Sequence, residues 1–196
     1  MKPTIFNFFS SKKIAKSRVL LLTCMIMFIS CERSAEDYSK NDQLPTVTQV
    51  GADTAGCLVN GKVLVAKANL AKIISWGPAF KLDYFSSLDN SNLTIAFENQ
   101  LYNSIPGVSI FVKRQKFEEG KTYQLTADLS DDTKTYAYAN YSNNEFYTTT
   151  NTVTGELTIT HIDTTKYIIS GTFWFNAVNS NGETVKITDG RFDGHY

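Results

Sequence analysis

Apolar and polar residues alternate with a period of two along the last fifth of the chain, in three runs. The first is Gly-Glu-Leu-Thr-Ile-Thr-His, from Gly155 to His161. The second is Ile-Ile-Ser-Gly-Thr-Phe-Trp-Phe-Asn-Ala, from Ile168 to Ala177, and the third runs from Glu183 to Asp193. Side chains two apart on a strand share a face, so this pattern predicts a three-stranded antiparallel meander with one face in a core. Leu157, Ile159 and His161 fall on one face of the first strand. Ile169, Gly171, Phe173 and Phe175 share a face of the second, and Val185 and Ile187 are the apolar members of the third. Asn179-Ser180-Asn181-Gly182 supplies the turn between the last two.

The upstream chain repeats the theme in shorter pieces. Cys57-Leu58-Val59 and Val63-Leu64-Val65 flank Asn60-Gly61, the strongest short hairpin signal, because both turn positions need positive φ. The apolar segment Asn69–Trp76, closed by Gly77-Pro78, is read as a strand in preference to a helical turn. Leu82–Phe85 is a weak strand. Leu93, Ile95 and Phe97 alternate cleanly, as do Val108, Ile110 and Val112. Tyr123 and Leu125 point inward from the next run, followed by Thr135–Ala139 and Phe146–Thr148. This amounts to about ten short strands in about 140 residues without an amphipathic helix. The fold class is therefore all-β, an antiparallel β-sandwich or partly open β-barrel over residues 56–196. A domain of this size buries roughly two-thirds of its unfolded surface and needs neither disulfide nor metal to fold.

The front of the chain reads as an address. Residues 1–18 are basic, and Val19–Ser30 is twelve residues without a charge, too short for a membrane-spanning helix, which needs roughly 20. It fits the apolar region of a signal peptide over residues 1–30. Phe28-Ile29-Ser30-Cys31 resembles the bacterial lipobox, in which a small residue precedes the cysteine that receives lipid. Cys31 is thus the expected lipidation site. Cys24 competes, with Leu21 three residues before it, but Thr23 and the apolar run left behind it count against it. One acyl chain is a marginal anchor, whereas two or three on Cys31 hold stably. Residues 31–55 are polar and read as a flexible tether. Together these features predict a protein of the bacterial cell envelope, lipid-anchored to the outer membrane, with the membrane itself as a partner.

Charge and composition narrow the function. Lys and Arg number 19, as do Asp and Glu. Five of the basic residues (Lys2, Lys12, Lys13, Lys16 and Arg18) precede Cys31, and no acid does, so the mature chain keeps 14 basic against 19 acidic residues, a net of −5. Nucleic-acid binding needs clustered Lys and Arg and is not expected. Two histidines far apart, with no Cys-x-x-Cys, give no metal pattern, and no cofactor is implied. Asn179–Glu183 echoes a calcium loop only faintly and reads as a plain hairpin turn. No Gly-x-Ser-x-Gly is present, and Cys57 reads as a small core residue.

The candidate chemistry is aromatic. If Phe173 and Phe175 are core, Trp174 faces the other way. Tyr136 and Tyr138 share a face, with Tyr141 and Tyr147 near by. Exposed aromatic rings on a sheet stack on sugars or on another protein, so Trp174, Tyr136 and Tyr138 form the candidate binding face. The expected function is a non-enzymatic binding or accessory module with a glycan or envelope-protein partner. The alternatives are a glycan-processing or other hydrolase with an unmarked carboxylate pair, or a structural subunit of an envelope complex.

The lipobox, the Cys-Leu-Val-Asn-Gly-Lys-Val run from Cys57, and the Gly155–Asp193 meander together resemble a family of small Bacteroidota lipoproteins with no assigned activity. The resemblance implies an envelope lipoprotein with an all-β fold and brings no catalytic residues.

Overall fold

A computed structural model describes residues 42–86, 90–127 and 135–196. The signal region, Cys31 and the start of the tether lie outside the described residues. Eleven strands follow one another as β1 (Thr54–Val59), β2 (Lys62–Val65), β3 (Phe80–Ser86), β4 (Ser91–Glu98), β5 (Gly107–Gln115), β6 (Thr122–Leu125), β7 (Tyr136–Asn143), β8 (Glu145–Thr148), β9 (Gly155–Asp163), β10 (Ile168–Val178) and β11 (Thr184–His195). One short helix, α1 (Leu70–Trp76), stands between β2 and β3. The fold is all-β, as the alternation predicts.

The strands form a single curled antiparallel sheet in the order β2-β1-β11-β10-β8-β7-β5-β4-β3, a half-barrel. β9 pairs with the first two-thirds of β10, from Ile168 to Phe175, and β6 pairs with β9. The β2 end of the order approaches β4, the next-to-last strand at the other end. Lys67, just past β2, bridges in parallel to Asn99, just past β4. Its amide donates to the Glu98 carbonyl at 3.1 Å, and its own carbonyl accepts from the Gln100 amide at 2.8 Å.

The concave side holds the core. Leu93, Ile95 and Phe97 of β4 meet Val108, Ile110 and Val112 of β5, Leu157 and Ile159 of β9, and Phe173 and Phe175 of β10, all buried. Tyr123 and Leu125 point inward as expected. The Asn60-Gly61 hairpin forms with φ of 48° and 80°, the positive pair its turn requires.

Two local expectations need correction. Asn69–Trp76 is not a strand. The Asn69 side chain accepts the Ala71 amide at 3.0 Å as an N-cap, Leu70–Trp76 turns helically, and Gly77 at φ 86° ends it by returning its amide to Ile73. His161 does not continue the face of Leu157 and Ile159. β9 pairs Ile159 with Gly171 but His161 with Ser170, so Thr160 is an extra residue and the alternation breaks there.

The tether also differs from its reading. Its second half lies against the sheet. Asp42 pairs with Lys67. The Thr48 hydroxyl and the amides of Val50 and Ala52 donate to Asp193 Oδ2 at 2.6, 3.1 and 3.1 Å. The Gly51 amide and the Ser170 hydroxyl donate to Oδ1 at 2.9 and 2.8 Å. Five donors from two segments thus converge on one buried carboxylate of β11.

Candidate functional site

The register of β10 against β11 sets Trp174 apart. Phe173 pairs with Gly190 and Phe175 with Ile187, so Thr188 and Asp189 together oppose Trp174. This β-bulge puts Asp189 at φ 53°. Phe173 and Phe175 face the core, and the period of two turns the indole outward, 41% exposed. Gly190 makes the floor possible: a Cβ there would stand 2.3–2.6 Å from three Phe173 ring atoms.

Cross-strand neighbours fix the indole. Trp174 pairs with Glu156 of β9, which pairs with Gln124 of β6. The indole N–H donates to Glu156 Oε2 at 3.2 Å, and Gln124 Nε2 donates to Oε1 at 2.9 Å. Across the bulge Arg191 lies flat, its Nε donating to the Asp189 carbonyl at 3.1 Å and its Nη1 to the Pro45 carbonyl at 3.4 Å. These groups border a groove of about 300 Å³, flanked also by Thr158, Thr172 and Val47. An apolar ring wall with a carboxylate, a guanidinium and two hydroxyls at its rim can accept and donate hydrogen bonds around a flat, polar-edged ligand.

Tyr136 and Tyr138 belong elsewhere. They sit on β7 and form an aromatic ladder on the outer face: Tyr136 stacks on Tyr138 at 6.0 Å, and Tyr138 on Phe111 at 4.9 Å. Tyr136 is only 8% exposed, so its ring is packing, not the open platform expected of it. Between this ladder and Trp174 the sheet order places β8. Of the three aromatic candidates, Trp174 alone lines the groove. Glu156 and Arg191 complete it, and the sequence singles out neither as a partner of Trp174, since only strand register brings them together.

A second concavity, about 590 Å³, lies at the β10–β11 turn. Asn179 Nδ2 donates there to Glu145 at 2.6 Å and to Glu183 at 2.8 Å, and the Tyr147 hydroxyl donates to Glu145 at 3.1 Å. The two carboxylates therefore stand within two hydrogen-bond lengths of each other, as a hydrolytic pair would. Yet Asn179 Oδ1 accepts the amides of Asn181 and Glu183, so this network builds the hairpin turn. Asn179–Glu183 is that turn, as its sequence reads.

The other reactive side chains are engaged apart from either concavity. His161 Nδ1 lies 3.2 Å from Glu119, and His195 Nδ1 lies 3.1 Å from Asp53. Cys57 is fully buried, and desolvation pushes its thiol up to about 12, the opposite of what a nucleophile needs. Among the described residues no group of three or more His, Cys, Asp or Glu gathers as metal ligands do. No described helix is long and apolar enough to cross a membrane.

No curated protein and no solved structure matches the chain. A family model does, over residues 86–194, which takes in β4 through nearly all of β11 and therefore Glu156, Trp174 and Arg191. That match spans more than half the sequence, and the chain belongs to the DUF6252 family, a domain of unknown function.

Proposed function

We propose that the protein is an envelope lipoprotein, held at the outer membrane by lipid on Cys31, whose β-domain is a non-enzymatic module that binds glycan in the Trp174 groove. The observation that carries this reading is the half-exposed indole, set opposite a bulge and locked by Glu156, beside Arg191. A sugar ring offers an apolar face for stacking and hydroxyls at its edge, which match the ring wall and the polar rim. The lipobox-like Ser30-Cys31 and the resemblance to small Bacteroidota lipoproteins support the anchor. The hydrolase alternative has less support, because the Glu145–Glu183 pair is tied into the turn by Asn179.

Glycan-array screening of the soluble domain, followed by calorimetric titration, tests the groove. Trp174→Ala is expected to cost about 2 kcal/mol of binding, roughly thirtyfold in Kd. Its Tm should move little, because the side chain is only half-buried. Undiminished glycan binding by this variant, or a steep loss of Tm, would remove Trp174 from the site.

The anchor has a separate test. Cys31→Ala should abolish metabolic lipid labelling and leave full-length precursor. Labelling that survives in Cys31→Ala and disappears in Cys24→Ala would move the anchor to Cys24.

A further inference from the structure

Helix α1 is amphipathic the wrong way round for a helix on a soluble domain. Its polar Lys72 turns toward the body and donates to the Tyr102 carbonyl at 2.8 Å. Three of its apolar residues turn out: Leu70 is 85% exposed and Ile74 93%, with Ile73 beside them. Leu70, Ile73 and Ile74 stand at i, i+3 and i+4, one continuous apolar stripe.

This orientation is built in. Buried Gln100 holds both ends of the helix. Its Oε1 accepts the Asn69 amide at 3.0 Å, and its Nε2 donates to the Gly77 carbonyl at 2.9 Å and to Glu98 at 2.8 Å. A helix fastened at both ends by a fully buried side chain cannot roll its apolar stripe inward. Contiguous outward apolar surface of this kind marks a contact with something less polar than water.

The length of chain between this helix and the anchor cysteine says what that contact is. Asp42, the first described residue, is ion-paired to Lys67, three residues before Leu70. Only ten residues, 32–41, separate it from Cys31. Ten residues of any conformation reach at most about 35 Å. A lipid on Cys31 would therefore keep Asp42, and Lys67 beside α1, within that reach of a bilayer, at a high effective concentration that makes even weak insertion count.

We propose that α1 is a membrane-docking helix, which lays Leu70, Ile73 and Ile74 into the headgroup boundary of the bilayer that carries the lipid anchor. At seven residues it lies in the interface and does not cross. The inference rests on the Cys31 anchor and adds an orientation to it. Across β1, the end of β2 lies level with the C-terminal half of β11, whereas the β10–β11 turn at Asn179–Glu183 lies beyond the other end of β11. Docking through α1 directs that turn away from the membrane.

The test uses the full chain, acylated in its own host and reconstituted into phosphatidylethanolamine/phosphatidylglycerol vesicles. A nitroxide is placed by Ser75→Cys next to the stripe, or by Ser180→Cys on the far turn. Buried Cys57 does not compete for the label. On vesicles the label at position 75 should shift from access by aqueous nickel to access by oxygen, while the label at 180 stays with nickel. Leu70→Asn with Ile73→Asn should abolish the shift and leave the protein floating with the vesicles. Flotation with position 75 still open to nickel overturns the docking and leaves the anchor standing. Failure to float overturns the anchor and the docking with it. Protection of position 75 without vesicles, growing with protein concentration, gives the stripe to a second copy of the chain and overturns the proposal.

Discussion

Asp193→Ala is expected to cost about 3–4 kcal/mol of folding stability and to release the segment from Thr48 to Ala52 from the sheet. The carboxylate is 2% exposed and accepts five hydrogen bonds, three of them from consecutive backbone amides of one loop. Hydrogen bonds to a charged acceptor contribute about 1.5–3 kcal/mol each in isolation. The whole set is worth less than its sum, because the freed loop can turn its amides to water. Burial is the strongest single influence on this carboxyl and opposes ionisation. The Thr48 and Ser170 hydroxyls and the amides of Val50 and Gly51 together outweigh it and hold the group at about 2, against an ordinary 3.8. A carboxyl whose pKa is lower in the folded chain stabilises above its unfolded pKa and loses that stabilisation as pH falls through the folded one. The wild type should therefore lose roughly 2 kcal/mol between about pH 4 and pH 2. Asp193→Asn should lack that step, starting lower and staying flatter. Urea titrations at a series of pH values, with hydrogen exchange at the amides of Val50, Gly51 and Ala52, measure both effects. Parallel pH profiles for wild type and Asp193→Asn would mean that this carboxylate does not carry the acid sensitivity.

What could be read in advance depended on whether its cause was local. Leu93, Ile95 and Phe97, or Val108, Ile110 and Val112, declare an inward face within five residues, and all six are buried. Asn60-Gly61 carries its turn in its own φ angles. Trp174 was legible in the same way, as the outward residue between two inward phenylalanines. Its partners were not, because Glu156 and Arg191 meet it only through register, and the bulge at Thr188–Asp189 shows only in the change of phase from Val185 and Ile187 to Phe192. Helix α1 was missed for a related reason. Seven residues are too few for a period of 3.6 to show against one of 2, and its Asn69 cap reads equally as a turn residue. The docked half of the tether was hidden by distance. Its polar composition is that of a coil, and the group that orders it lies about 140 residues away, on the face of β11 opposite core residue Phe192. The tyrosines show the limit of the period-two argument: it gave Tyr136 and Tyr138 a common face but not the packing that covers Tyr136 there.

Gly155→Ala, the smallest side-chain change available, is expected to be among the most damaging. Gly155 opens β9 and is paired on both sides, with Phe175 of β10 and Leu125 of β6. A Cβ at this position would stand 2.2 Å from Phe175 Cβ, 2.3 Å from the Trp174 carbonyl oxygen and 2.5 Å from Phe175 Cα. Directly paired Cβ atoms on neighbouring strands normally stand about 4.5–5.5 Å apart, so β9 and β10 approach here far more closely than side chains permit. Two of the three obstacles are backbone atoms, and no rotamer change relieves them. The strands must separate, at a cost of about 3 kcal/mol or more, and the midpoint of urea unfolding should fall with its slope unchanged. Gly61→Ala is the control. A Cβ there meets nothing within 4 Å, so only the strain of φ 80° is felt, about 1–2 kcal/mol. The damage should also reach the groove. Glu156 follows Gly155 directly and holds the indole N–H, so displacement of β9 should loosen Trp174, shift its fluorescence to the red and weaken ligand binding with Trp174 itself intact. An unfolding midpoint for Gly155→Ala as high as that of Gly61→Ala would mean that β9 and β10 do not close at this end, and that Glu156 is not where the groove needs it.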